Sequence, residues 1–314
     1  MPFRTGAITD EFSPDLETSL GSMRELGMEA AELRIVFGKN IIDLSDEEIA
    51  RAGALVAQYG MKTVAIASPL LKCTLPDAPP VDGRFQQDMF AAKHSFEDQP
   101  CLTERAFAIA DKLGAQIIRV FSYWRVVEPD QVFDRVIAAL EALGEKAGKR
   151  GLTIGLENEH ACNIATGAES AVALAAVQSP HVQLVWDPAN AYVSGENPFP
   201  EGYAKLPVGR IAHVHAKDCT MQGHKPVWGP LGEGDVDWRG QIAALARDGY
   251  AGYINLETHW TGPNGDKHQA SMICGRNLVE MARAPLEIAT VRELNRIESQ
   301  KMINEEILKS RLKP

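Results

Sequence analysis

Amphipathic helix-length stretches alternate along this chain with short, β-branched apolar runs, and at five of the joints a glycine separates the two. The joints read LGMEAAELR at 26–34, YGMKTVAIA at 59–67, LGAQIIRVF at 113–121, RGLTIGLE at 150–157 and DGYAGYINLE at 248–257. Glycine in the left-handed conformation closes a helix and hands the chain to a strand. The runs are apolar almost throughout, as strands are when both faces of a parallel sheet are covered. GAIT at 6–9, HVQLVW at 181–186 and RIAHVH at 210–215 bring the candidate strands to eight. Helical patterns fall at 16–26, 45–59, 129–148, 168–177 and 238–248, with Ser13 before Pro14 and Ser45 with Glu48 as helix starts. A βα unit repeated eight times predicts an α/β protein of the single (β/α)8 TIM-barrel type. The rival, a doubly wound open sheet, calls for a glycine-rich loop after the first strand. Here DEFSPD follows that strand.

The 314 residues read as one domain, with the barrel over about 4–284 and an extra amphipathic C-terminal helix over about 285–314. That helix either packs on the barrel or serves a homo-oligomer. Residues 72–100 form a long, proline-rich loop after strand 3, on the face where barrel active sites form, and read as a lid or a plain variable loop. Lys and Arg total 32 against 42 Asp and Glu, a formal charge of −10, which argues against a nucleic-acid partner. No run of about 18 apolar residues suggests a membrane span, and the N-terminus lacks the apolar middle of a signal peptide. Five cysteines without a CxxC pattern fit a reduced, cytoplasmic setting rather than a disulfide scaffold or zinc finger.

Barrel chemistry sits at the carboxyl ends of the strands. Strand 5 ends in Glu157, strand 6 in Asp187, strand 7 carries His213 and His215, and strand 8 ends in Glu257. Adjacent strands lie about 4.8 Å apart, so these ends converge. Three buried carboxylates repel one another unless paired or bound to a cation. With one imidazole they suit a single divalent ion, Mn²⁺, Mg²⁺, Co²⁺ or Zn²⁺. Taken singly, each is equally a salt-bridge or capping residue, Asp187 capping the turn that starts at Pro188. His213 and His215 share one side of their strand, and Lys217 follows on that side. Glu159 and His160 continue past strand 5, while Arg119 on strand 4 either binds substrate or pairs with a core carboxylate. Trp124, Arg125, Trp228 and Trp260 lie on the same face. Glu32 and Arg34 on strand 2 are expected to form an ion pair.

LEN at 156–158, WDPAN at 186–190, HVHAKD at 213–218 and LET at 256–258 resemble the xylose-isomerase-like TIM-barrel superfamily, in its sugar phosphate isomerase/epimerase branch. GPLGEGDVDW at 229–238 is similar to the loop after strand 7 in that branch. The resemblance runs from ITDEFS to about residue 283. It implies a ketose 3-epimerase-like site in which Glu157, Asp187, His215 and Glu257 bind one metal ion, Mn²⁺ first. His215 is chosen over His213 because the family ligand lies three residues before the acid that closes the motif, here Asp218. Glu157 and Glu257 then double as the catalytic proton-transfer pair, acting through an enediolate. Asn190, His160, His213, Lys217, Arg119 and Trp124 are the expected substrate-binding residues; His213 is equally a satisfied core histidine. Family epimerases usually carry His at the Asn190 position, where Asn still donates and accepts hydrogen bonds. The superfamily's apurinic-site endonucleases ligate zinc through that His and through others from strands 2 and 3. No His occurs in residues 1–93, so that activity is set aside. The implied function is a metal-dependent isomerase or epimerase of a sugar or polyol ketone. Its alternatives are a dehydratase of the inosose-dehydratase type and a non-catalytic sugar-binding barrel.

Overall fold

In the computed structural model, which describes residues 3–84 and 94–283, eight parallel strands close into a barrel. They are β1 (Arg4–Ile8), β2 (Ala30–Leu33), β3 (Lys62–Leu70), β4 (Ile117–Val120), β5 (Thr153–Glu157), β6 (Val182–Trp186), β7 (Ile211–Ala216) and β8 (Tyr253–Leu256). Each strand pairs with its sequence neighbours, and β8 closes on β1 with Arg4 opposite Tyr253 and Ala7 opposite Leu256. The glycine at each of the five joints read from the sequence has positive φ, from 66° at Gly114 to 76° at Gly27. Helices α1 (Leu16–Glu25), α2 (Asp46–Gln58), α3 (Gln99–Leu113), α4 (Phe133–Gly148), α5 (Gly167–Ala176), α6 (Pro188–Val193), α7 (Trp238–Arg247) and α8 (Lys267–Arg283) fill the crossovers and close the chain.

The period-2 and period-3.6 patterns meet between these layers. In α4, Val136, Leu140, Leu143 and Ala147 are buried, one stripe at helical spacing. They join Ile154 and Leu156 of β5 in the large apolar core, while Glu157, one residue on, belongs to the other face of that strand. Ser45 and Glu48 form the expected capping box on α2. At α1 the cap is Asp15, whose side chain accepts from the Thr18 N–H, and Ser13 instead accepts from the Asp15 N–H.

Two antiparallel hairpins decorate the carboxyl end, Ile35–Val36 with Lys39–Asn40 and Asp218–Gln222 with Lys225–Gly229. The expected C-terminal helix at 285–314 and the middle of the expected lid at 85–93 lie outside the described residues. Among the described residues, no helix is long and apolar enough to cross a membrane.

Candidate metal centre

Asn158 ties the ends of β5 and β6 together. Its Oδ1 accepts the Asp187 N–H at 2.8 Å, and its Nδ2 donates to the Asp187 carbonyl at 2.8 Å and the Ala165 carbonyl at 3.1 Å. Asp187 then divides its two oxygens. Oδ1 accepts the Asn190 N–H at 2.9 Å and caps α6, whereas Oδ2 faces the barrel axis, 2.7 Å from Lys217 Nζ. The capping reading of this residue holds on Oδ1, and Oδ2 is left facing Lys217.

Glu157, Asp187, His215 and Glu257 each offer one ligand atom, and these four atoms lie within 4.8 Å of one another, all from buried residues. His215 Nδ1 stands 3.1 Å from Glu157 Oε1 and 3.5 Å from Glu257 Oε2. Lys217, just past β7 and 1% exposed, sets Nζ 2.8 Å from Glu257 Oε2 as well as against Asp187. The buried Trp238 indole donates to the Lys217 carbonyl at 2.9 Å, which fixes the chain there. Arg34 and Arg119 reach Glu257 Oε1 at 3.1 and 3.8 Å, and Arg119 reaches Glu157 Oε2 at 3.2 Å.

Burial alone raises carboxyl pKa values. For Glu257 the charges of Lys217, His215, His259 and Arg34 overcome it and hold the group well below the usual range. For Asp187 burial wins over Lys217, helped by the Glu257 and Glu157 charges, and the carboxyl is pushed up to about 6. Burial opposes charge on His215 and Lys217 too, but the surrounding carboxylates hold both well above their ordinary values. The three carboxylates are held together by the positive charge of Lys217, His215, Arg34 and Arg119. Glu157 Oε2 is buried without a hydrogen-bond donor. Three carboxylates and one imidazole, with such an oxygen among them, fit a divalent cation.

The expected substrate-binding residues are placed unequally. His160 is half-buried, with Nδ1 2.7 Å from Glu159 Oε1 and 3.2 Å from Asn190 Oδ1. Asn190 also donates to the Asn158 carbonyl at 2.9 Å. Trp124 packs with Phe121, Ala161 and Cys162 in a small separate cluster. Lys72 Nζ lies 4.2 Å from the Phe121 ring centre and 5.7 Å from that of Trp124. Trp228 and the His259 ring meet edge to face at 4.6 Å, with Lys217 Nζ 5.9 Å from the indole. His213 is fully buried and bonded to Glu32 at 2.9 Å rather than open to the barrel mouth.

The expected Glu32–Arg34 pair is replaced by two separate networks. Glu32 turns to His213 and His215, and Arg34 turns to Asp10, Glu11 and Glu257. Residues 32 and 34 share a strand side only if β2 stays regular, and β2 ends at Leu33 with a register shift at Ala31/Glu32. Asp10 and Glu11, which pair with Arg34, and Lys72, which pairs with Glu159 at 3.6 Å, were missed by the sequence reading. They follow the carboxyl ends of β1 and β3, so the rule used for strands 5–8 would have found them.

A closed (β/α)8 barrel with a buried carboxylate–imidazole cluster at its carboxyl mouth defines a class of small-molecule site. The chain belongs to the Xylose isomerase-like TIM barrel family, whose model matches residues 20–278. It is 27% identical over 143 residues to an inosose dehydratase of Bacillus licheniformis, a match covering 41% of this chain and 47% of that protein. The chain thus spans about half the length of the curated relatives it matches. A solved structure of the IOLI protein with a binding zinc atom superposes with TM-score 0.68 at 16% identity, covering 89% of this chain and 98% of that one. A D-allulose 3-epimerase from Methylomonas sp. in complex with D-allulose superposes with TM-score 0.64 at 18% identity, covering 88% and 95%.

Proposed function

We propose that the protein is a divalent-metal-dependent isomerase or epimerase of a sugar or polyol ketone, acting by proton transfer beside the carbonyl. The observation that carries this reading is the convergence of Glu157, Asp187, His215 and Glu257 from four successive strands within 4.8 Å. These four residues would hold the ion, Mn²⁺ first, and when bound it would polarise the substrate carbonyl and stabilise the negative charge that develops there.

The two glutamates are built differently. Glu157 Oε2 makes no hydrogen bond and has the Arg119 guanidinium 3.2 Å away as its ion-pair partner; it would be the oxygen that takes the proton from the carbon beside the carbonyl. Glu257 has Arg34 on Oε1 and the Lys217 ammonium on Oε2, so a proton held at Lys217 Nζ has a 2.8 Å path to it for return to the opposite face. Trp228 and His259, which meet edge to face, would offer an aromatic surface that suits the apolar face of a sugar.

Lys217 also favours a second reading. An ammonium beside the cluster is an acid for a departing hydroxyl, and the sequence relatives include inosose dehydratases. In that case Glu157 takes the same proton, the carbon–oxygen bond breaks, and the hydroxyl leaves as water with the Lys217 proton.

Protein stripped of metal, reloaded with Mn²⁺ and incubated in D₂O with ketoses, inososes and oxidised glycosides tests both readings by NMR. Deuterium uptake beside the carbonyl is expected, reduced at least about 100-fold in Glu157→Gln and Glu257→Gln. Products of unchanged mass mean epimerisation, and products lighter by water mean dehydration. Binding of a ketose without metal-dependent exchange for any substrate would leave only a sugar-binding barrel.

A further inference from the structure

Beneath the cluster lies a second buried group that the proposed reaction does not use. Glu32, at the carboxyl end of β2, is 0% exposed and receives three side chains from the far wall of the barrel. His213 Nε2 stands 2.9 Å and His215 Nε2 3.0 Å from its Oε2, and Asn255 Nδ2 donates to the same oxygen at 3.0 Å. His215 Nε2 also lies 3.2 Å from Oε1. The two imidazoles meet edge to face at 5.3 Å.

The backbone is shaped for this contact. The β2–β3 pairing shifts register at Ala31/Glu32, and the β6–β7 pairing shifts between Leu184 and Val185, which faces His213. Such irregularities re-aim side chains. Gly6 on β1 completes the space, since a Cβ there would stand 2.5 Å from Asn255 Oδ1 and 2.3 Å from the Ala30 carbonyl oxygen.

Glu32 as a carboxylate only accepts hydrogen bonds. Each imidazole nitrogen facing it must therefore carry the proton. For His215 this keeps N–H on Nε2; Nδ1, 3.1 Å from Glu157 Oε1, carries a proton by the same rule until an ion takes its place, so Nδ1 is the nitrogen whose lone pair an ion would use. Resting on the metal reading above, we infer that Glu32 is a positioning residue: it fixes the tautomer and ring orientation of His215 so that Nδ1 is presented to the ion. Carboxylate–histidine–metal arrangements of this kind raise the basicity of the ligand and set its direction. Glu32, His213 and His215 are also close enough to hold an ion themselves. Against that use, Glu32 Oε2 is already occupied by the Asn255 amide, and all three contacts are at hydrogen-bond distances.

Glu32→Gln separates the two roles. Its carbonyl oxygen is neutral and has two lone pairs for the three donors that share Oε2, while its NH₂ takes the place of Oε1 and opposes the His215 Nε2–H, so the hold on the His215 tautomer weakens. Metal affinity by titration calorimetry with Mn²⁺ and Zn²⁺ is expected to fall about 10- to 100-fold, with Glu32→Asp between Gln and wild type. In the ¹⁵N-histidine spectrum of the Zn²⁺-loaded wild type, His215 is expected to be protonated at Nε2 and coordinated through Nδ1. That spectrum needs no variant, so the inference stays exposed even if Glu32→Gln does not fold. Coordination through Nε2, two metal ions per chain, or unchanged affinity in a folded Glu32→Gln would each overturn it. A wild type that binds no metal at all sinks the metal reading itself, which is a distinct result.

Discussion

Lys217 brings a full positive charge to within 2.7 Å of Asp187 Oδ2 and 2.8 Å of Glu257 Oε2. A divalent cation held by the cluster would draw on the same carboxylates. In the metal-free protein Lys217 is the main group keeping these oxygens apart, and removing one partner of a buried ion pair typically costs about 3–5 kcal/mol. Lys217→Met is therefore expected to destabilise the chelator-treated protein by about that much, and Mn²⁺ is expected to restore most of the loss. Thermal unfolding in EDTA and in excess Mn²⁺ reads both terms. Equal destabilisation in the two conditions would mean that Lys217 and the ion do not share their partners. The converging residues Glu157, Asp187, His215 and Glu257 were legible in the sequence because each stands about one βα unit from the next. Lys217's contact with Asp187 and Glu257 was not, since it depends on the chain just past β7 being held inward by the Trp238 indole. The networks around Glu32 and Arg34 were hidden for the same reason: a register shift has no signature in residue type.

At the scale of elements, α5 shows how a loop after a barrel strand is fastened to the next helix. Thr166 caps it, accepting the Glu169 N–H at 3.1 Å, while Glu169 Oε2 accepts the Thr166 and Ala165 N–H groups at 3.1 and 2.8 Å. Arg125, from the loop after β4, adds an ion pair to Glu169 Oε1 at 2.8 Å. Burial works against ionised Glu169, but Arg125 and the two amides prevail and hold its pKa below the usual value. A depressed carboxyl pKa stabilises the fold above the unfolded value, about 4.3, and the benefit is lost as pH falls through the folded value. The stability gap between wild type and Glu169→Gln is thus expected to be constant from pH 7 to about 5 and to close as the pH drops through 4. Urea midpoints at each pH measure it, and a gap that persists unchanged at pH 3 would assign it to packing instead. Capping of this type was readable where the box sat on a helix pattern, as at Ser45 and Glu48. At α1 the cap fell two residues later than expected, because Ser13 is used to bond the Asp15 N–H. The eight strands were readable because each apolar run is bounded by a helix and, in five cases, by its closing glycine.

Across the whole molecule, charged groups of opposite sign meet one another at the barrel mouth. Asp10, Glu11, Glu32, Glu157, Glu159, Asp187 and Glu257 meet Arg34, Lys72, Arg119, Lys217 and Lys267 in one set of buried or half-buried contacts. Among the described residues at the mouth, each of these cations is therefore already committed to a carboxylate. The loop after β7, where barrels frequently seat a phosphate, is filled from inside. Asp218 takes the N–H groups of Gly232 and Gly234 on Oδ2 at 2.8 and 3.1 Å, and that of Val236 on Oδ1 at 3.2 Å. A phosphate ester would bring two further negative charges to a site whose cations are already paired. For any ketose that the Mn²⁺-loaded protein binds, its phosphate ester is expected to bind at least about 10-fold more weakly, a difference of about 1.4 kcal/mol. Paired calorimetric titrations of the two, at one ionic strength, decide the point. Tighter binding of the ester would require a cationic group beyond the described residues to face the mouth, and would move the substrate class from free sugars to sugar phosphates.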